Sequence, residues 1–579
     1  MKAKSVLRLL KATKRIALWS AAMTGLAVTG LAQTTPAPEQ PAPAAAQTEQ
    51  TTAAPVQETV SPAAQFTAAA LAGYRVEGIR LGPWDELMED FAFSSDGHHF
   101  AYISSHVCQK SKIICVVVDG KEVEETQDIR KGTLALSPDG KHVAFASKND
   151  RRWTMVIDGQ PGAEYDEIEI GSPVFSPDSK RVAFVAKVGG RYSMVVDGQT
   201  GAEYDEILNP ARAARLAVDQ GEMPGGMVAG GIVGSVMMGV LAKPWYMAVK
   251  PVSYELSKDV SWAAPIFSPD SSLLAYVARN GSQQFVVVDG QAGPESDVKW
   301  NQQGIPNRRL FTLFSPDSKR FAYAVKQGGL WSAVLDGQKV GLGYEESFSP
   351  FFSPDGKHIA YAARRGKQWS IVVDGNAGAV YDNIFSPRFS PNNKRFAYAA
   401  QRDKKWSVLL DGQPGAEYEI VSGLTFSPDS KHLAYFADKP KKKWVLVVDG
   451  QEGPEQTGWL PVMTYPIFSP DSKHVAYVAE VEPKVGSKKS VWLDGRVVAT
   501  NYTISTPIFS PDSQHLAYLS AGAFSVLSVE IDGKVVEGHE YILNGSPYFD
   551  PDGTLEFLEK GKETHLGSGL YRVRLIPTR

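Results

Sequence analysis

Residues 173–207 read PVFSPDSKRVAFVAKVGGRYSMVVDGQTGAEYDEI. The stretch opens on an aromatic followed by Ser-Pro-Asp, with Asp178 at its centre. Pro sets φ for the first central position of a tight turn, and Asp bonds to the backbone just ahead of it. The alternating apolar run 182–186 then reads as a strand. A second run begins at Tyr192 and ends in Asp197-Gly198. Asp-Gly between apolar runs is a strong hairpin signal, because a type I′ turn needs φ > 0 at both central positions. A last short run follows, Tyr204-Asp205-Glu206-Ile207.

The pattern recurs from about residue 90 to the end of the chain. The turn Asp falls again at Asp139, Asp270, Asp317, Asp355, Asp429, Asp471 and Asp512, with variants at Asp96, Asn392 and Asp552. Asp-Gly recurs at Asp119, Asp158, Asp289, Asp336, Asp374, Asp411, Asp449, Asp494 and Asp532. A further, degenerate copy is expected between Asp178 and Asp270. There Leu216-Ala217-Val218-Asp219 stands for the turn motif, and Trp245-Tyr246-Met247-Ala248-Val249 stands for the aromatic-led strand. That makes about twelve copies. Four short strands per roughly 40 residues describe a propeller blade, since one unit cannot bury its own apolar face.

The expected fold is therefore an all-β propeller of about twelve four-stranded blades. Rings of four to eight blades are usual, so two tandem six-bladed propellers are expected, residues 73–345 and 346–579. One large ring or a seven-plus-five split are the alternatives. At the start, Trp84-Asp85-Glu86-Leu87 reads as a fourth strand without the first three. At the end, the last copy stops after its third strand. The N-terminal strand is expected to complete the C-terminal blade and so remove an exposed edge.

Residues 1–32 carry a basic start, an apolar stretch and small residues at the cleavage positions, which reads as a secretory signal peptide. No Cys follows it, which argues against lipoprotein processing. Residues 33–72, rich in Ala, Pro, Gln and Thr, read as a disordered tether. Export places the protein in the periplasm or outside the cell. The formal net charge is −4, and without the basic leader it falls to about −10. A mildly acidic chain with no basic block argues against nucleic acid as partner.

Few residues carry recognisable chemistry. There is no nucleophile elbow, zincin helix or phosphate loop, so no catalytic residue, cofactor or metal is assigned. His142, His358, His432, His474 and His515 follow the Ser-Pro-Asp turns. Arg181, Arg320 and Arg395 occupy the same repeat position, so a generic polar site fits better than a ring of metal ligands. The turn Asp residues are read as serving their own turns rather than calcium. Cys108 and Cys115 flank a turn in the first blade and are read as a disulfide pair in an exported protein. An insert, 210–260, holds the uncharged segment 224–242. Its small residues Gly226, Gly230, Gly231, Gly234, Ser235 and Gly239 recur at a four-residue spacing that permits close helix approach. They are a candidate docking segment, for a partner or a membrane surface.

The string FSPDSKRVAFVA, followed by VVDG, resembles the WD-like repeats of TolB-type bacterial propellers over about residues 84–576. That resemblance implies an envelope location and protein partners at the propeller face. The chain departs from the family in showing only the tether ahead of the propeller. It departs from propeller-gated peptidases in showing no hydrolase domain after it. The expected function is an exported, monomeric, non-enzymatic scaffold for protein–protein binding in the cell envelope. The alternative is a propeller enzyme, or a substrate-gating propeller, acting on peptide or carbohydrate.

Overall fold

The computed structural model describes residues 74–83, 90–94, 99–104, 114–126, 128–149, 151–208, 265–297, 313–348, 350–457, 465–480, 488–522, 527–536, 541–542, 547–561 and 569–577. The described secondary structure is all strand, in eleven antiparallel sheets of four or five strands. The described residues form a β-propeller of eleven blades rather than the expected twelve or so. In chain order the blades span 90–126, 135–165, 167–204, 206–292, 313–344, 346–381, 383–418, 420–457, 467–501, 503–535 and 541–577.

Local chemistry explains each blade. In blade 3 the strand Val182–Val188 pairs with Arg191–Val196 through a Gly189-Gly190 hairpin, and that strand pairs with Gln199–Tyr204. The hairpin at Asp197-Gly198 has φ of 51° and 79°, the positive pair a type I′ turn demands. The second strand of nearly every blade alternates a fully buried Ala with a buried aromatic, as in Ala144-Phe145-Ala146 and Ala360-Tyr361-Ala362. The small residues let neighbouring sheets approach, and the aromatic fills the space between them.

The fourth strand differs from expectation. Residues of the type Tyr-Asp-Glu-Ile are not a strand of their own blade. Tyr165 ends the outer strand Gln160–Tyr165, Asp166 is the crossover, and Glu167-Ile168 begin the innermost strand of the next blade. The outer strand is instead the Gln-Pro-Gly-Ala-Glu segment after Asp-Gly. It is mostly exposed, so apolar alternation gave no sign of it.

Consecutive blades share apolar cores along the whole chain, from Ile103, Val116 and Phe145 between blades 1 and 2 to Leu519, Phe557 and Val573 between blades 10 and 11. The proposed break near 345 has no support in this packing. Tyr344 of blade 5 meets Tyr361 of blade 6 edge-on, ring centroids 6.2 Å apart, over the buried Ala333, Ala363 and Val372.

Blades 3 and 4 are direct neighbours as well. Tyr192 and Tyr204 of blade 3 pack with Ile207, Phe267, Tyr276 and Val287 of blade 4, and the Asp178 N–H donates to Ser271 Oγ at 3.0 Å. This overturns a degenerate blade between them. Residues 209–264, with the candidate docking segment, lie outside the described residues. They are inserted between the two halves of one innermost strand, Glu206–Ile207 and Ile266–Phe267. Closure by the N-terminus is present. The strand Tyr74–Pro83 pairs antiparallel with Gly569–Pro577 and forms the outer edge of the last blade. The closing strand thus lies N-terminal to Trp84–Leu87, which fall outside the described residues.

Candidate functional site

The Ser-Pro-Asp turns explain most of the polar residues that the repeat keeps. Ser137 Oγ donates to Asp139 Oδ1 at 2.7 Å and accepts the His142 N–H at 2.9 Å. The backbone N–H of Asp139 donates to Ser179 Oγ in the next blade at 3.1 Å. The same inter-blade bond joins Asp270 to Ser318, Asn392 to Ser430, Asp429 to Ser472 and Asp471 to Ser513, at 2.9–3.0 Å. The turn is therefore a fastener between blades. Its bonds to Ser469 and the Lys473 N–H hold the Asp471 carboxyl at about 2, below the usual carboxylate range. Ser272 and Ser268 do the same for Asp270, also at about 2.

The His and Arg that follow the turn are bound too. His142 Nδ1 donates to Asp158 Oδ2 at 2.7 Å, while Asp158 Oδ1 accepts the Val143 N–H at 2.9 Å. Arg181 makes the equivalent pair with Asp197 at 2.9 Å, and His358, His432, His474 and His515 pair with Asp374, Asp449, Asp494 and Asp532. Each ties the first turn of a blade to its Asp-Gly hairpin. This matches the generic polar reading and gives it a partner. Among the described residues no three His, Cys, Asp or Glu are grouped to hold a metal ion. Cys115 is fully buried on the strand Ile114–Val118, opposite Ser104, and is not a free thiol; Cys108 lies outside the described residues.

What the turns leave over is the inner rim. Innermost strands surround the axis of a propeller. In ten blades one residue of that strand stands two places before the Ser of the turn, and in blade 11 it stands two places before Asp550. Register identifies it, because it pairs with an Ala of the second strand: Val174 with Ala183, Ile266 with Ala275, Phe351 with Ala360, Ile467 with Ala476, Ile508 with Ala517. Ala92, Ala135, Leu313 and Thr425 complete the set, and Tyr548 faces Glu556 in the last blade. Wherever described, these side chains are half-buried.

Blade 7 breaks the rule: its rim residue is Arg388, paired with Ala397. The strand bulges between Phe385 and Arg388, with Ser386 at φ 52°. The guanidinium carbon lies 5.4 Å from the ring centroid of Tyr465, which precedes the innermost strand of blade 9. A contact that skips blade 8 needs the inner strands to converge. Gly423 of blade 8 permits it: a Cβ there would sit 3.0 Å from the Phe436 ring and 3.1 Å from Pro466, and its φ is +69°. Burial pulls the Arg388 guanidinium below its ordinary value, and burial raises Tyr465. Arg388 Nε is buried with no acceptor. The rim tyrosine of blade 11 is different: Tyr548 Oη donates to Glu556 at 2.6 Å, and Arg574 holds the same carboxylate. Sequence reasoning did not single out Arg388. Aligning the residue two before each Ser of the turns exposes it as the one charge in an otherwise uncharged column.

The sequence matches no protein family and no curated protein. Similar solved structures include a eukaryotic initiation factor, 13% identical over 75% of this chain and 98% of that one, with a TM-score of 0.34. The β-propeller domain of the Trilobed protease from Pyrococcus furiosus is 14% identical, covering 46% and 93%, at 0.25. TolB from Acinetobacter baumannii is 14% identical, covering 53% and 79%, at 0.22. At these scores the likenesses carry no functional argument, and the propeller rests on the chain's own eleven sheets.

Proposed function

We propose that this protein is an exported, non-enzymatic propeller scaffold that binds a protein partner in the cell envelope, acting as a monomer. The observation that supports the binding reading is the inner rim. Half-buried side chains such as Val174, Ile266, Phe351, Ile467 and Ile508 stand at the same register position in blades 3, 4, 6, 9 and 10. The turn residues beside them are engaged in fastening, whereas the rim side chains are only partly covered. Partly covered apolar surface repeated at one register position of several blades fits a docking site for another chain. The leader-like residues 1–32 support export, and the resemblance to envelope propellers points the same way.

Two experiments test this together. Fractionation should recover the mature chain, cleaved near Ala32, outside the cytoplasm. A photo-reactive residue at Ile508 should then cross-link one envelope protein, whereas the same residue at the exposed outer-strand Val380 should not. Cytoplasmic retention would remove the envelope reading. Equal labelling from both positions would remove the rim as the binding surface. Turnover of a peptide or glycan by the purified chain would favour the enzyme reading instead.

A further inference from the structure

The hairpins between the second and third strands lie on the face opposite the Ser-Pro-Asp turns, and on three consecutive blades they are basic. The tips 365–368, 402–405 and 439–443 of blades 6, 7 and 8 read RGKQ, RDKK and KPKKK. They hold nine Lys or Arg and one acid, Asp403. In blades 3, 4 and 5 the tips 188–191, 280–283 and 327–330 hold only Arg191, which pairs with Asp205 at 2.7 Å. Strand geometry sets the basic tips at one level. The second strands Ile359–Arg365, Phe396–Arg402 and Leu433–Lys439 are seven residues each. Their turn ends are tied together, Asp355 N–H to Asn393 at 3.1 Å and Asn392 N–H to Ser430 at 3.0 Å. The crossovers hold the tips in turn: Glu345 accepts the Gly366 N–H at 3.2 Å, and Asp382 accepts the Asp403 N–H at 2.9 Å.

The turns themselves do not call for lysine. Lys404 takes φ 69° at the place of Gly190 and Gly329 in blades 3 and 5, and Lys441 and Lys442 take 68° and 59°. A Cβ is strained in that left-handed region. Ion pairing does not account for the charges either. Arg364, Lys405, Lys439 and Lys443 pair with Glu345, Glu419, Glu452 and Glu455. Among the described residues no carboxylate pairs with Arg365, Lys367, Arg402, Lys404 or Lys441. On the turn face, by contrast, Lys141, Lys180, Lys357, Lys431 and Lys473 each lie within 3.7 Å of their own turn Asp.

We infer that the tips of blades 6, 7 and 8 form a basic sector that docks this face of the propeller on the anionic headgroups of a lipid bilayer. Arg365, Lys367, Arg402, Lys404 and Lys441 supply the unpaired charge, and all five are exposed. The composition of the tips favours lipid over a protein partner. Protein interfaces are depleted of Lys and built around apolar or aromatic residues. No aromatic stands in these tips, and the rings of Tyr344 and Tyr381 lie under Arg365 and Arg402, 5.7 and 5.1 Å away. A level array of cations without an apolar centre fits a planar polyanion. Acids elsewhere on the chain do not cancel the attraction, because salt screens exposed charges beyond about 8 Å. This surface is separate from the inner rim, so its failure leaves the rim reading as it stands.

The test is flotation of the full mature chain with vesicles of phosphatidylcholine, alone or with about one-third phosphatidylglycerol. Binding to the anionic vesicles is expected, with little to the neutral ones, and it should weaken at least about tenfold between about 0.05 M and about 0.5 M salt. The triple variant Lys367→Gln, Lys404→Gln, Lys441→Gln should lose affinity on the order of a hundredfold. The triple variant Lys357→Gln, Lys431→Gln, Lys473→Gln removes the same charge from the turn face and should stay within about threefold of the parent. Lys404→Gly with Lys441→Gly should melt at or above the parent temperature, because Gly relieves the left-handed strain, and should still bind the vesicles more weakly. Equal recovery with both vesicles would overturn the inference and point to the uncharged segment 224–242 instead. Equal losses from the two triple variants would overturn it too, since net charge alone would then govern binding. It falls as well if polyglutamate or a short DNA duplex binds more tightly than the anionic vesicles, or if the two Gly substitutions lower the melting temperature by several degrees.

Discussion

The residue after the turn Asp explains why the motif alternates between Ser and Gly. It must adopt a left-handed conformation: Ser472 has φ 65°, Ser179 64° and Gly356 70°. Ser accepts the bond from the preceding blade but bears the strain of a Cβ at positive φ. Gly relieves the strain and gives up the bond. At Gly356 a Cβ would also approach Asp317 Oδ1 to 3.0 Å. Two substitutions separate these effects. Ser472→Ala keeps the strain and leaves the Asp429 N–H without its acceptor, so it should destabilise by about 1 kcal/mol. Ser472→Gly loses the same bond but regains about 1 kcal/mol of strain, so denaturant unfolding should place it above the Ala variant. Equal stability of the two would contradict the account of the motif.

The turn carboxylates also set a pH dependence. Asp270 and Asp471 sit at about 2 in the folded chain, against about 3.9 when unfolded. A depressed carboxylate stabilises above its unfolded value, and that contribution is lost as pH falls through the folded one. Melting temperature should therefore be flat near neutrality and fall between about pH 4 and pH 2. Asn392 already shows that the turn forms without charge, with Oδ1 accepting from Ser390 and the Lys394 N–H. The double variant Asp270→Asn, Asp471→Asn should lose less melting temperature than the parent across that window. A parallel decline would mean that other groups govern acid unfolding.

At the scale of the element, the repeat was legible because its turns carry obligatory chemistry. Asp-Gly must be a type I′ hairpin, and its positive φ pair appears at every described copy. The outer strand was not legible, because Gln160–Tyr165 and its equivalents are exposed and have no apolar period. The Trp245 segment misled for the opposite reason. A strand-like run beside a turn-like tetrapeptide satisfies the local pattern, whereas blade count is fixed by which sheets pack together. The inner rim stayed hidden because its residues are set apart by register across blades rather than by any motif.

The insert gives a direct prediction. Ile207 and Ile266 pair with Ala278 and Ala275, as Ile168 and Val174 pair with Ala186 and Ala183 in blade 3. The same gap is crossed there by the short connection 169–173. Replacing residues 209–264 with Ile-Gly-Ser, the residues 170–172 of blade 3, should leave cooperative unfolding and melting temperature nearly unchanged. Loss of the cooperative transition would show that the insert is part of the blade 3–4 joint.

For the whole molecule, the decisive feature is that the first and last described strands pair in one sheet. The last blade takes three strands from residues 541–577 and its outer strand from Tyr74–Pro83. Tyr74 is buried in the core between blades 10 and 11 with Leu519, Phe557 and Leu575. Arg574 reaches Glu77 on the closing strand at 3.8 Å. Deleting residues 74–83 should expose both that core and an unpaired strand edge, causing aggregation and a lower melting temperature. Deleting residues 36–65, which precede the closing strand, should do neither. A deletion variant lacking 74–83 that stays monomeric with unchanged melting would be incompatible with closure.

Native-state hydrogen exchange read by mass spectrometry tests most directly whether the strand Tyr74–Pro83 completes the last blade. Amides of residues 74–80 and 571–577 are paired partners in one ladder, so both peptides should be protected and should lose protection together as denaturant is raised. Exchange of residues 74–80 at the rate of an unstructured chain, with residues 571–577 still protected, would contradict a last blade completed by the strand Tyr74–Pro83.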